Sequence, residues 1–271
     1  MKPSLSIISC ACGRLDSFAF HLRCLADQPG AKDAEYCVGL WGDPAEHIEI
    51  LDRYADRFKA IKHAHIVTEK YWPLPYAYNA ALKMAKADRV LIIGAEIVAP
   101  ADAVSWASAF DPNDMTAWFA ACRDEDSGTV YVGPSSKGAF PYCVALPRAP
   151  LAAIGGWDEK FAEGIVFDDV DLAARLLLAG VRFRWDFARE AVHQSHIKIG
   201  HETKDMPRGK YRAVNRAELE RRLKGIPVLD IWPIWWPDGT KPEFPADDGL
   251  ARQGALAARL RRVGYPMKAV G

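Results

Sequence analysis

The sequence predicts an α/β fold, a mostly parallel sheet flanked by helices and followed by a C-terminal extension. Three observations predict it. Short runs of strand length alternate with segments of helical periodicity, the pattern of strands joined by helical crossovers. The runs Leu5–Ala11 and Val90–Val98 are apolar enough to be buried strands of such a sheet. The 271 residues, half of them hydrophobic, suffice to bury a sizeable core in one large or two small domains.

In chain order, the Leu5–Ala11 strand ends in a turn at Gly13-Arg14-Leu15-Asp16. A helical pattern follows over Phe18–Ala26, with Leu22 and Leu25 among its apolar positions. Tyr36–Trp41 is a second strand, closed by Gly42-Asp43-Pro44; residues 46–58 read as a helix and 60–67 as a weaker third strand. Residues 76–85 are helical, and 90–98 form a central strand whose end carries Glu96. A helix over 103–109 precedes a strand over 116–122. A charged turn, 123–128, then leads into Val130-Tyr131-Val132, a hairpin-like section expected to leave the parallel core. Residues 134–138 read as a flexible loop, and 141–146 as a last strand before the turn at Gly155-Gly156.

The later half continues with a half-buried strand at Val181–Trp185. Residues 203–211 read as a mobile loop, whose Lys204, Arg208 and Lys210 either close over phosphates or are simply solvated. Residues 215–224 are helical. The aromatic, proline-punctuated stretch Asp230–Pro237 packs the tail onto the domain, touches an acceptor or forms a homodimer interface. Residues 249–262 form a basic amphipathic helix suited to a partner or an anionic membrane surface.

Composition removes several function classes. The 35 basic and 35 acidic residues balance, which argues against a general nucleic-acid binder or a polybasic membrane protein. No run of eighteen apolar residues suggests a transmembrane helix, and the N-terminus enters a strand too soon for a signal peptide. Cys10, Cys12, Cys24, Cys37, Cys122 and Cys143 lack zinc-site spacing, and several sit in apolar runs. They read as reduced core thiols of a cytoplasmic protein.

The most informative stretch is Gly155-Gly156-Trp157-Asp158-Glu159, followed by Phe167-Asp168-Asp169-Val170-Asp171-Leu172 and then Arg175 and Gly180. From Asp169 to Ala179 it reads as a helix with Leu172, Leu176 and Leu177 on one face and Gly180 at the C-terminal cap. Asp168 suits the N-cap, Asp169 and Asp171 favour the positive end of the helix dipole, and Asp171 can pair with Arg175 along the helix surface. Capping accounts for one of the three acids. A carboxylate at a helix start beside a tight Gly-Gly turn is well placed to face a cleft.

This pair of blocks resembles the Gly-Gly-x-Asp-Glu and Glu-Asp-x-Asp-Leu-x-x-Arg pair of GT-A glycosyltransferases, especially family-2-like enzymes, at a similar separation. The resemblance covers roughly residues 4–200 and implies a GT-A domain over 1–200, with 201–271 as an extension packed on it. It implies transfer of a sugar from a nucleotide diphosphate sugar to an acceptor hydroxyl. Asp169 would be the general base and Asp168 the second candidate, with Trp157 and Asp158 orienting the acceptor. Arg14, Asp43, Asn79 and Glu96 would lie at the nucleotide, although Asn79 equally suits helix capping and Trp41 suits either core or base stacking. The family's Asp-x-Asp is represented here by Gly94-Ala95-Glu96. Glu96 and His193, with His196 as fallback, would hold Mn2+ or Mg2+. A catalytically degenerate domain that binds a sugar or a partner is the alternative reading. A nucleotidyltransferase would need a Gly-rich loop after the first strand, where only Gly13 stands.

Overall fold

The structure is a computed structural model that describes residues 1–70, 72–133, 141–195, 208–228 and 250–269. The first half contains β1 (Leu5–Ala11), α1 (Leu15–Ala26), β2 (Ala34–Trp41), α2 (Ala45–Asp52), β3 (Ala60–Ile66), α3 (Leu74–Met84), β4 (Arg89–Ile93), β5 (Ile97–Val98) and α4 (Ala103–Ala109). The second half contains β6 (Thr116–Asp124), β7 (Val130–Val132), β8 (Cys143–Pro147), α5 (Arg148–Ala153), α6 (Asp168–Leu178), β9 (Arg182–His193), α7 (Arg208–Leu223) and α8 (Leu250–Arg262). Among the described residues the strands form one sheet in the order β3-β2-β1-β4-β8-β6-β9-β5, with β7 beside β6. β3, β2, β1 and β4 run parallel, β8 runs antiparallel to both β4 and β6, and β9 returns parallel to β6. The expected α/β sheet with helical crossovers is therefore present. No helix of the described residues is long and apolar enough to cross a membrane.

Every residue of β1 is buried, as its uninterrupted apolar run requires. Under α1 and α3 the core gathers Leu5, Ile7, Phe18, Leu22, Tyr36, Leu40, Leu91 and Trp157. Glu35 is the polar tie across these strands. Its carboxylate accepts from the Ser6 hydroxyl at 2.6 Å, from the Lys86 amide at 2.5 Å and from the Lys62 ammonium. Burial pushes its pKa up, but the bonds from Lys62, Ser6 and Lys86 outweigh that and hold it below the usual range. A second apolar cluster lies behind the first, where Phe161, Val170, Ala174, Leu178, Leu219, Leu223, Leu260 and Tyr265 join α6 to α7 and α8.

Several boundaries differ from the sequence reading, each for a local reason. The run 90–98 is broken: β4 stops at Ile93, Gly94–Glu96 turn, and β5 pairs with β9, so Glu96 sits in a turn and not on a strand. A short helix, α5, stands between β8 and the Gly-Gly turn. β6 stays within the main sheet, and only the hairpin partner β7 hangs off it. β9 is more than twice as long as expected because its far end closes on β5. Arg208 and Lys210 belong to α7 and not to a loop. The apolar face of α8 is covered, with Ala257 and Leu260 buried, so that face is not left for a membrane or partner. Cys12 and Cys24 are only partly buried; the other four thiols are core, and all six are free. The 134–138 loop, His196, Lys204 and the 230–237 aromatic stretch lie outside the described residues.

α3 rests on β2 through Gly39. A Cβ at Gly39 would lie 2.2 Å from the Ala77 carbonyl oxygen, whereas a Cβ at Gly254 on α8 would meet nothing within 4 Å. Gly39→Ala is expected to destabilise the fold by about 1–3 kcal/mol through overpacking, and Gly254→Ala to stabilise it by about 0.5–1 kcal/mol. Urea denaturation of the two variants beside wild type checks both signs.

Candidate functional site

β1 and β4 lie side by side and parallel, so their carboxyl ends bring the turns after them together, at the end of such sheets where ligands bind. After β1, Arg14 takes a left-handed conformation (φ 51°) immediately before α1. Its guanidinium reaches to 3.9 Å from the carboxylate of Glu96 in the turn after β4, with each side chain about one-quarter exposed. Below them, Tyr78 of α3 hydrogen-bonds the Cys10 sulfur.

The N-terminus of α6 forms the facing wall. Glu96 and Asp168 both act electrostatically on Cys10 and on Tyr78, raising each pKa in addition to the larger effect of burial. Tyr142 is raised chiefly by burial and then by the charge of Asp169, with a smaller contribution from Glu96. Cys10, Tyr78 and Tyr142 therefore lie within electrostatic reach of the two acidic positions.

The Gly-Gly turn that sets this wall is clamped from α3. Gly155 and Gly156 have φ of 82° and 69°, and a Cβ at Gly156 would stand 2.3 Å from the Asn79 amide oxygen. That oxygen accepts the Trp157 amide at 2.8 Å, while the Asn79 NH2 donates to the Trp157 carbonyl at 2.8 Å and to Glu159 at 3.0 Å. Asn79 is thus a buried brace for the turn and neither a helix cap nor a nucleotide contact. Trp157 is fully buried and stacks on Tyr78 with ring centroids 4.4 Å apart, so it presents no face to an acceptor. Asp158 is fully buried as well: one oxygen accepts the Lys160 amide at 2.9 Å and the other the Arg222 guanidinium at 2.7 Å. The acceptor roles expected for Trp157 and Asp158 are therefore corrected to structural ones.

The three acids at the start of α6 divide sharply. Asp171 is fully buried and saturated by Arg175 at 2.6 Å, Arg222 at 3.0 Å and the Tyr265 hydroxyl at 2.7 Å. Its pairing with Arg175 is an interior contact and not a surface one, and Arg175 also donates to the carbonyls of Ile154 and Gly156. Asp168 and Asp169 form no ion pair among the described residues. Asp168 is the first helical residue and not the cap, because Phe167 in the left-handed region takes the cap position. Asp168 is buried, and burial followed by the Asp171 charge pushes its carboxyl up to about 7. Asp169 is half-exposed, accepts only the Val170 amide, and is raised well above the usual range by desolvation and by Asp168.

The remaining predicted residues are less concentrated. Asp43 is exposed and accepts the Ala45 amide at 3.0 Å at the start of α2. His193 stands beside the Glu96 turn, since Ile97 pairs with His193 and the Gln194 amide donates to the Glu96 carbonyl at 2.9 Å. Its ring, however, lies 3.4 Å from the Asp124 carboxylate and edge-on to Tyr131 and Tyr142. Among the described residues no three His, Cys, Asp or Glu side chains converge as a metal site. Glu96 faces Arg14 and His193 faces Asp124, so the expected metal ligands do not meet in a ready-made centre.

Arg222, Tyr265, Tyr78 and Tyr142 were not singled out from the sequence. Arg222 had a signal: Asn215, Leu219, Arg222 and Leu223 form the buried stripe of α7, so a charge stood on the apolar face of a helix.

Two outcomes follow from these charges. Arg222→Met removes the guanidinium that Asp158 and Asp171 share in a dry interior and is expected to cost about 3–5 kcal/mol by denaturant unfolding. Asp168 ionises near pH 7 in the fold, against about 3.9 in an unfolded chain. The folded state therefore holds the extra proton between those values, and stability declines as pH rises through that window. Asp168→Asn should be more stable than wild type at pH 8 by about 2–4 kcal/mol, with the gap closing toward pH 4; unfolding curves at both pH values decide it.

Compared by sequence, the chain matches no family model and no curated protein. Compared by structure, it is similar to solved glycosyltransferases. S. aureus TarS 1-349 in complex with UDP-GlcNAc is 15% identical with a TM-score of 0.59, over 83% of this chain and 73% of that one. The mannosyltransferase PcManGT from Pyrobaculum calidifontis, in complex with GDP-Man and Mn2+, is 18% identical with a TM-score of 0.58, over 100% of this chain and 77% of that one. Against the longer S. aureus TarS structure the chain spans 44% of the length, at 15% identity and a TM-score of 0.58. At these identities the likeness is one of fold: this chain has a GT-A-like fold, shared with these glycosyltransferases.

Proposed function

We propose that the chain is a glycosyltransferase, moving a sugar from a nucleotide diphosphate sugar to an acceptor hydroxyl with inversion at the anomeric carbon. The observation that carries this reading is the Asp168–Asp169 pair. Two carboxyls at a helix start form no ion pair among the described residues, and burial with a neighbouring carboxylate raises both above the ordinary carboxylate range, Asp168 to about 7. A structural acid in this fold is saturated, as Asp171 is; a carboxylate left to chemistry is not.

In this reading Asp169, the more open of the two, takes the proton of the acceptor hydroxyl as its oxygen attacks C1. The bond from C1 to the phosphate oxygen breaks, and its electron pair leaves with the nucleotide diphosphate. Asp168 is the second candidate for the base. Burial and the Asp168 charge raise the proton affinity of Asp169, as a general base requires. Arg14 brings the positive charge nearest Glu96 toward the leaving diphosphate, and Asp43 lies on the donor side. The acceptor is a carbohydrate or another hydroxyl compound. The two structurally similar glycosyltransferases in complex with UDP-GlcNAc and with GDP-Man support a nucleotide sugar as the donor class. Bound Mn2+ or Mg2+ would neutralise the diphosphate. The described residues offer no converging ligand set for it, so no step here depends on it. The six free thiols fit a cytoplasmic setting, and we retain 1–200 as the catalytic domain with 201–271 as an extension upon it.

A panel of UDP, GDP, CDP and TDP, each with and without Mn2+, read by thermal shift, tests donor binding. One nucleotide should stabilise wild type, and the metal arm reports whether Glu96→Ala removes a cation-dependent part. Asp169→Asn should keep that shift and lose ~10²-fold or more in transfer. Wild-type transfer should rise with pH through the titration of the pair, because the base works deprotonated. If no nucleotide shifts the midpoint, the transferase reading falls. A catalytically degenerate domain that binds a sugar or a partner is the second reading, favoured by the Glu96–Arg14 pairing; it predicts neither a nucleotide shift nor turnover.

A further inference from the structure

We infer that α7, from the C-terminal extension, is the positioning element of the Asp168–Asp169 pair, with Asn215 as the residue that holds the strained turn leading into it. The inference rests on the transferase reading for its purpose and on the following geometry for its substance.

The chain enters α6 through two consecutive non-glycine residues in the left-handed region, Val166 at φ 56° and Phe167 at φ 69°. L-residues avoid that region, β-branched valine most of all, and such a conformation persists only where surroundings impose it. α7 supplies the surroundings. The buried Asn215 NH2 donates to the Phe161 and Val166 carbonyls, each at 2.8 Å, and so grips both ends of the connection. The Ile165 amide donates to the Tyr211 carbonyl at 3.3 Å, and the Arg212 guanidinium lies 5.9 Å from the Phe167 ring centroid. Gly164 allows this approach, since a Cβ there would stand 2.3 Å from the Tyr211 oxygen and 2.6 Å from the Asn215 amide oxygen. One and two turns further along, Leu219 and Arg222 of the same helix reach the buried cluster, where Arg222 holds Asp158 and Asp171 on either side of the strained turn.

The turn fixes the direction in which α6 begins. Phe167 is its cap, and the Asp171 amide closes the first helical bond on the Phe167 carbonyl at 3.0 Å. Relaxing Val166 and Phe167 to ordinary φ values would unwind that cap and swing Asp168 and Asp169 away from Tyr78 and Tyr142. Asn215 touches none of the reacting groups; it acts through the backbone that carries them.

The test combines hydrogen exchange of the 165–171 amides with turnover of UDP-GlcNAc and GDP-mannose, read as UDP or GDP release, at a temperature where every variant is folded. Asn215→Ala should speed exchange of these amides at least tenfold while leaving β1 unchanged. It should lower kcat at least tenfold and leave donor KM within twofold. Val166→Gly added to Asn215→Ala should recover most of the lost kcat, because glycine holds a positive φ without the clamp. Should Asn215→Ala fail to fold, Asn215→Asp keeps the volume and removes both donated bonds. Unchanged exchange at 165–171, or no rescue by Val166→Gly, overturns the inference. If exchange responds as expected while wild type turns over neither donor, the clamp stands and the transferase reading is what fails.

Discussion

The second half of this molecule depends on one buried charge network. Arg222 of α7 lies between Asp158 and Asp171, Arg175 adds a second guanidinium to Asp171, and Tyr265 donates to the same carboxylate. All but Tyr265 and Arg222 are fully buried, and those two are nearly so. Ions in a dry interior are tolerated only when paired and hydrogen-bonded, so each member fixes the place of the others. The network binds the segment after the Gly-Gly turn, the first turn of α6, and the two C-terminal helices into one unit. Arg175 extends it to the turn itself through the carbonyls of Ile154 and Gly156. The apolar cluster of Phe161, Leu219, Leu223 and Leu260 surrounds these charges and keeps them from water.

That arrangement separates two kinds of acid within four residues of chain. Asp171 meets two guanidinium groups and a hydroxyl, which holds it as a fixed structural charge. Asp168 and Asp169, in the same first turn, meet no cation among the described residues. The helix dipole favours their ionised forms, yet burial and a neighbouring carboxylate, Asp171 for Asp168 and Asp168 for Asp169, oppose ionisation more strongly, and the net result is an upward shift. Such a pair lowers the stability of the fold at neutral pH, and carboxyls perturbed in this way are candidates for a functional site.

Much of the fold was legible in the chain because β1, β2 and β4 are buried on both faces and read as apolar runs, while the half-buried edge strand β3 follows from the alternation of strands and helices. β1, β2, β3 and α4 fall where the alternation places them. The motif around Gly155–Arg175 drew attention to the segment that carries Asp168 and Asp169, but the partners of its residues were legible only in part. A sequence shows that Trp157 and Asp158 follow a glycine turn. It does not show that Tyr78 stacks on one of them or that Arg222, 64 residues later, neutralises the other. Asn79 likewise looked like a polar residue in need of solvent or ligand, whereas its partner is the peptide group of Trp157. These are long-range pairings with no local signature. Glu96 was misplaced for a different reason: Gly94 breaks an apolar run that has no other punctuation, and a single glycine can mark a turn or merely interrupt a strand.

The same contrast explains how the C-terminal helices reach the segment leading into α6 rather than merely covering the sheet. A helix that only covered the sheet would place leucines and alanines against it. α7 instead places Asn215 and Arg222 on its buried stripe, and both reach the segment between the Gly-Gly turn and α6. Burying a carboxamide and a guanidinium costs more than burying leucine unless every polar atom finds a partner. Here the partners are the backbone of a strained turn and two carboxylates that flank it. The polar face of the interface lies directly behind the one turn of helix whose acids have no cation, and the apolar remainder lies away from it. Holding a left-handed valine and phenylalanine in sequence requires that kind of directed support, which hydrophobic contact alone, being non-directional, does not provide.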